Sequence, residues 1–163
     1  MTNIGFILFI IADILLLVFL VLWLVRYQNK KIRSRTMKEF EEFVAMKNLT
    51  IETRQTLNKN IIGLDKENMI LVFLDRKNTI KPVRTIDLNE ILSCKIIKSR
   101  KSPNSHITSI SLEILYRNPE KERVILPFYN ENNDKFYKMM RLAKKAYYWE
   151  KRINLFREIP AAV

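Results

Sequence analysis

The sequence predicts an α+β chain: an N-terminal apolar helix, then a mostly antiparallel set of six or seven strands, then a long C-terminal amphipathic helix. Three observations carry this. Residues 4–25 form one apolar run, residues 50–128 alternate with period two between turn residues, and residues 139–156 repeat apolar side chains every three or four positions. Composition closes off several classes. Two glycines exclude a glycine-rich phosphate loop, and a single Cys (Cys94) with a single His (His106) excludes a disulfide framework and most zinc sites.

Between Ile4 and Val25 the only ionisable side chain is Asp13. Those 22 residues reach about 33 Å as a helix, against a hydrocarbon core of about 30 Å. The expectation is a single transmembrane helix within an anchor over residues 1–27. Nothing basic precedes Ile4, and bulky Trp23, Leu24 and Val25 stand where a cleavage site needs small residues, so the anchor is expected to stay uncleaved. Arg26, Lys30, Lys31, Arg33 and Arg35 follow as a polybasic run that would contact anionic lipid at the inner leaflet. The positive-inside rule then predicts a single-pass protein of the cell membrane, N-terminus outside and C-terminal domain cytoplasmic. A carboxylate at the span midpoint is costly, so Asp13 is expected to make a polar contact inside the membrane. Its partner would be another membrane protein or a second copy of the chain. An Asp followed by an aliphatic run is also similar to proton-channel stator subunits, and a proton-coupled role for Asp13 is the alternative that resemblance implies.

Residues 28–49 read as a basic juxtamembrane segment and a short amphipathic helix. Thr36 is placed to cap it with Glu39 three residues on, and Met37, Phe40 and Val44 give it one apolar face. Residues 50–158 form the main domain, with 159–163 as a tail. Strand-like runs fall at 60–64, 69–75, 79–86, 91–98, 107–116 and 122–128, with 50–57 as a further candidate. Ile110, Leu112, Ile114 and Tyr116 alternate with Ser109, Ser111 and Glu113, giving one buried and one wet face. Met69–Leu74 is apolar on both faces and is expected to lie centrally. Segments 65–68, 76–78, 101–105 and 117–120 carry the Asn, Asp or Pro of reversals. Asn132 or Asn133 is expected to cap a helix running to about Glu158. On it Met139, Leu142, Ala146, Trp149, Ile153 and Phe156 form one apolar stripe beside Lys138, Arg141, Lys145 and Arg152.

This order of elements, with Ile61–Asn68 and the Ile-Asp-Leu-x-Glu-Ile segment at Ile86–Ile91, resembles bacterial single-pass membrane proteins with a pleckstrin-homology-like (PH-like) domain. The resemblance covers roughly residues 50–157. It implies a PH-like barrel of six or seven strands capped by the C-terminal helix, and a binding role.

No catalytic, metal or cofactor constellation stands out, so the chain is expected to be non-enzymatic and without cofactors. His106 lies at a turn, and Cys94 reads as a reduced, partly buried strand residue. The cations are the remaining signal, at 29 Lys and Arg against 17 Asp and Glu. Lys95, Lys98, Arg100 and Lys101 form a candidate anionic-ligand patch, and Arg76, Lys77, Lys81 and Arg84 a second basic cluster. Tyr148, Trp149 and Phe156 on the last helix are a candidate partner surface. The sequence therefore predicts a membrane-anchored scaffold or accessory subunit with a protein partner. An anionic-lipid sensor is the alternative, and no nucleic acid is expected because no strand face interleaves cations with aromatics.

Overall fold

A computed structural model of the chain describes residues 3–58, 60–76, 78, 82–102 and 105–158, the side chains at 3–10, 12, 29, 32, 33, 157 and 158 excepted. Lys77, Lys81 and the tail 159–163 lie outside the described residues, as does the side chain of Arg33. The chain forms two compact units, Met1–Glu39 and Phe40–Val163.

Helix α1 (Asn3–Met46) runs unbroken for 44 residues. Residues 26–46 hold no Gly or Pro to end it, so Thr36 sits inside the helix instead of capping a new one. The transmembrane expectation is corrected here. Among the described residues, no helix is long and apolar enough to cross a membrane. The apolar stretch with described side chains runs only from Ile14 to Val25, between Asp13 and Arg26. The side chains of 4–10 and 12, which the expectation also used, lie outside the described residues.

The second unit holds seven strands: β1 (Ile51–Leu57), β2 (Asn60–Asp65), β3 (Ile70–Leu74), β4 (Val83–Asp87), β5 (Ile91–Arg100), β6 (Ile107–Tyr116) and β7 (Val124–Asn130). They pair antiparallel in two sheets, ordered β1-β2-β3-β4 and β5-β6-β7. Helix α2 (Met139–Glu158) follows a 3-10 turn at Phe136–Lys138. The fold expectation is thus corrected to an α+β unit of a four-stranded and a three-stranded sheet with a C-terminal helix, without a transmembrane helix. Lys135, with no side-chain capping bond, precedes the 3-10 turn, so neither Asn132 nor Asn133 caps the helix.

The strand patterns explain the packing. β3 lies between β2 and β4 and is buried on both faces from Leu71 to Leu74. Of the α2 stripe, Leu142, Ala146, Trp149, Ile153 and Phe156 are buried in one core with Ile62, Phe73, Leu112 and Leu126 from the two sheets, and Met139 packs against it. A tight connection joins β1 to β2, where Asn58 takes φ 53° in the left-handed region that Asn tolerates better than most residues. The end of α1 docks on β2 through Phe40, which is buried. A Cβ at Gly63 would lie 2.7 Å from Phe40 Cζ, so this close approach requires glycine.

Asp65 ends β2 with no exposed surface. Its carboxylate accepts from the Thr50 N–H at 2.7 Å, the Asn68 N–H at 2.9 Å and Asn68 Nδ2 at 2.8 Å. Burial would raise its pKa, but these bonds outweigh burial and hold it below the ordinary carboxyl value. The buried charge ties the entry to β1 and the β2–β3 turn to one point.

Candidate binding surface

Helix α2 builds the surface by facing two ways. Its inner stripe enters the core, and its polar side chains clasp the outer edges of both sheets. On β5 the Cys94 N–H donates to Asn154 Oδ1 at 3.2 Å, and Asn154 Nδ2 donates back to the Cys94 carbonyl at 2.9 Å. The Ile96 N–H donates to Glu150 Oε1 at 2.7 Å. Towards β1, Lys145 Nζ donates to the Thr56 carbonyl at 2.6 Å, Trp149 Nε1 to Gln55 Oε1 at 3.0 Å and Arg152 Nη2 to Thr53 Oγ1 at 2.8 Å.

This placement decides which predicted site residues are accessible. Trp149 is 0% and Phe156 6% exposed, so of the predicted partner surface only Tyr148 reaches solvent. The 3–4 spacing that makes Trp149 and Phe156 part of the apolar stripe is the signal that assigns them to the core. Tyr148 accepts from Arg152 Nη1 at 3.0 Å and stacks edge-on against Trp149.

The four cations of the predicted anionic-ligand patch, Lys95, Lys98, Arg100 and Lys101, are all exposed at the far half of β5 and just after it. Lys98 Nζ donates to Tyr147 Oη at 2.8 Å and lies 5.1 Å from that ring, joining the patch to α2. Lys101 is not free: it pairs with Glu131 at 2.9 Å, and His106 Nε2 lies 2.9 Å from the other oxygen of the same carboxylate. Lys101, followed by His106, holds the Glu131 carboxyl below its ordinary pKa. His106 also meets Phe136 edge-on, ring centres 6.5 Å apart. The loop residue of the sequence reading is therefore wired to the neighbouring β7 end.

Sequence reasoning missed a group of exposed apolar side chains where α2 begins. Phe136, Tyr137 and Met140 are 64%, 72% and 64% exposed at the start of α2. Their lack of a place in the apolar stripe was the available signal. In the first unit, Arg26, Lys30 and Lys31 are exposed on α1, and Arg35 pairs with Glu39 at 3.1 Å. Asp13 is exposed, and the intramembrane contact expected of it rested on the span corrected above.

Cys94 is a buried free thiol. Burial, then the Glu150 carboxylate, pushes its pKa up to about 12, so it is protonated and unreactive at neutral pH. Among the described residues no group of three or more His, Cys, Asp or Glu could hold a metal ion. A separate open cleft of about 400 Å³ lies at the ends of β4 and β6, lined by residues that include Asp87, Glu90, Tyr116, Lys121 and Glu122. Lys121 Nζ reaches Glu90 Oε2 at 2.5 Å across it.

No protein-family model, no curated protein and no solved structure matches the chain. With no family match and no helix able to cross a membrane among the described residues, the resemblance to single-pass membrane proteins with a PH-like domain is not supported, nor is the membrane character it implied.

Proposed function

We propose that the chain is a non-enzymatic scaffold or accessory module that binds an acidic surface of a protein partner at the far end of β5 and the outer face of α2. The observation that supports this most is the Lys98–Tyr147 bridge. It fuses the cations Lys95, Lys98 and Arg100 with an aromatic helix face that also exposes Tyr148 and, further along α2, Met140. Tyr, Met and Arg are enriched at interface centres, while cations set orientation and association rate.

The test is purification of the full chain and of a Lys98→Glu, Arg100→Glu, Lys101→Glu variant from the same cells. A stoichiometric protein that accompanies the wild type and is lost from the folded variant supports the reading. Equal recovery with both excludes this surface. A second reading, attachment to an anionic lipid surface, is favoured by exposed Phe136, Tyr137 and Met140 beside Lys135 and Arg141. Co-sedimentation with phosphatidylserine vesicles, lost on Phe136→Ser with Tyr137→Ser, would support that reading in place of the first.

A further inference from the structure

Two sheets leave four outer edges, those of β1, β4, β5 and β7. An exposed edge is a template for another strand, and proteins normally block it. Three edges here carry a block. Asn154 and Glu150 occupy β5, and Lys145 takes the Thr56 carbonyl of β1. On β7, Pro127 has no N–H, its carbonyl accepts from Asn60 Nδ2 at 3.3 Å, and the Asn130 N–H goes to Asp134 Oδ2 at 3.0 Å.

The fourth edge differs. The Asp75 N–H donates to the Pro82 carbonyl at 2.7 Å and the Leu88 N–H to the Met69 carbonyl at 2.8 Å, at either end of the β3–β4 ladder. Antiparallel bonding alternates, so these two bonds set its phase: Arg84 and Ile86 bond β3, while Val83, Thr85 and Asp87 turn N–H and carbonyl outward. Thr85 and Asp87 also line the open cleft, which has Ile70 and Val124 as its apolar lining. Among the described residues no strand pairs with this edge.

Charge identifies the occupant. The cleft lining holds three carboxylates, Asp87, Glu90 and Glu122, against the ammonium of Lys121, and Arg84 lies close enough to act on Tyr116 of the lining, or −3 + 2 = −1. Residues 40–163 carry 23 Lys and Arg and 15 Asp and Glu, or 23 − 15 = +8, so the open edge lies in an acidic recess of a basic unit. We propose that the β4 edge binds an extended basic peptide segment by strand addition. The peptide backbone pairs with the outward groups of Val83, Thr85 and Asp87. One of its Lys or Arg side chains meets Asp87 and Glu122, and an alternate apolar side chain covers Ile70 and Val124. This surface is separate from the basic face proposed above and does not depend on it.

The test uses the full chain and a fluorescein-labelled peptide, Lys-Val-Lys-Val-Lys-Val-Lys, with Glu-Val-Glu-Val-Glu-Val-Glu as its counterpart. Fluorescence anisotropy at low salt is expected to show saturable binding of the Lys peptide at the β4 edge, whereas any binding of the Glu peptide falls on the basic face and is indifferent to changes at Thr85. Thr85→Pro, which removes one outward N–H, is expected to weaken binding at least about tenfold, and Glu122→Lys about threefold or more with the backbone untouched. The peptide is also expected to slow hydrogen exchange at the Thr85 amide. Equal affinity of wild type and Thr85→Pro for the Lys peptide, an equally large Thr85→Pro effect on the Glu peptide, or no saturation by about 1 mM Lys peptide overturns the proposal. So does a wild-type dimer that Thr85→Pro splits in sedimentation velocity, since a second copy would then be the occupant. Should Thr85→Pro fail to fold, Glu122→Lys and the exchange measurement still decide.

Discussion

At β5 the outward amides of Cys94 and Ile96 meet side chains of α2, whereas at β4 the outward groups of Thr85 and Asp87 meet an open cleft. Geometry explains how one edge came to be sealed. Glu150 and Asn154 are four residues apart on α2, a rise of about 6 Å. Ile96 and Cys94 are two apart on β5, about 6.8 Å, so one helix face matches successive outward amides. Asn154 uses both ends of its amide on one residue, as a neighbouring strand would. Among the described residues nothing of comparable spacing lines the cleft at β4, which is bordered by the short turn Leu88–Glu90 and the loop before β7. At β5 the seal thus relies on a packed helix in register, and among the described residues no second helix faces β4.

The sharpest way to break the comparison is to unseat the helix. Trp149→Ala removes the largest fully buried side chain and its bond to Gln55, and is expected to cost about 3–5 kcal/mol. Urea unfolding measures the loss. Exchange at the Cys94 and Ile96 amides should accelerate strongly, while the Thr85 amide, already open, changes little. If the two edges respond alike, α2 is not what distinguishes them.

Asn154→Leu tests the clasp without removing core volume. It leaves the Cys94 N–H and carbonyl without their partner and is expected to cost about 1–3 kcal/mol. Faster exchange should centre on Cys94. Ile96, still held by Glu150, serves as the internal control.

Cys94 reports on the same seam. Its thiol is expected to resist iodoacetamide at pH 8 in the native chain and to react on unfolding in urea, as mass spectrometry can follow. The sign of the linkage follows from burial. A pKa raised from 9.0 to about 12 means folding favours the protonated thiol. That contribution is intact below about pH 9 and is lost as pH rises towards about 12. Rapid native alkylation at pH 8 would show a seam that opens often.

Much of the second unit was legible because periodicity states burial directly. The alternation at Ser109–Tyr116 and the 3–4 stripe from Leu142 to Phe156 reappear as buried faces. What escaped the sequence depends on long-range placement. Residues 154 and 94 are sixty apart, and no local pattern pairs them. Trp149 and Tyr148 are neighbours in a list of aromatics, yet on a helix they point about 100° apart, one into the core and one out. The apolar N-terminal run is the other miss: the expectation of a span was read from hydropathy alone, and among the described residues no helix is long and apolar enough to cross a membrane.

The smallest expected effect sharpens the contrast most. Proline removes one N–H and fixes φ, so its cost depends on whether that N–H was used. At Thr85 the N–H points away from β3 and the side chain is exposed, so Thr85→Pro is expected to change stability by no more than about 1 kcal/mol. Thermal unfolding by circular dichroism measures it. The same replacement at Ile96 deletes the donor to Glu150 and leaves that carboxylate oxygen without its bond, so it should cost clearly more. Both positions are outward amides of edge strands, and they differ in what stands over them. Equal costs would mean that Glu150 contributes nothing to holding β5; a small cost at Thr85 beside a large one at Ile96 would measure the seal directly.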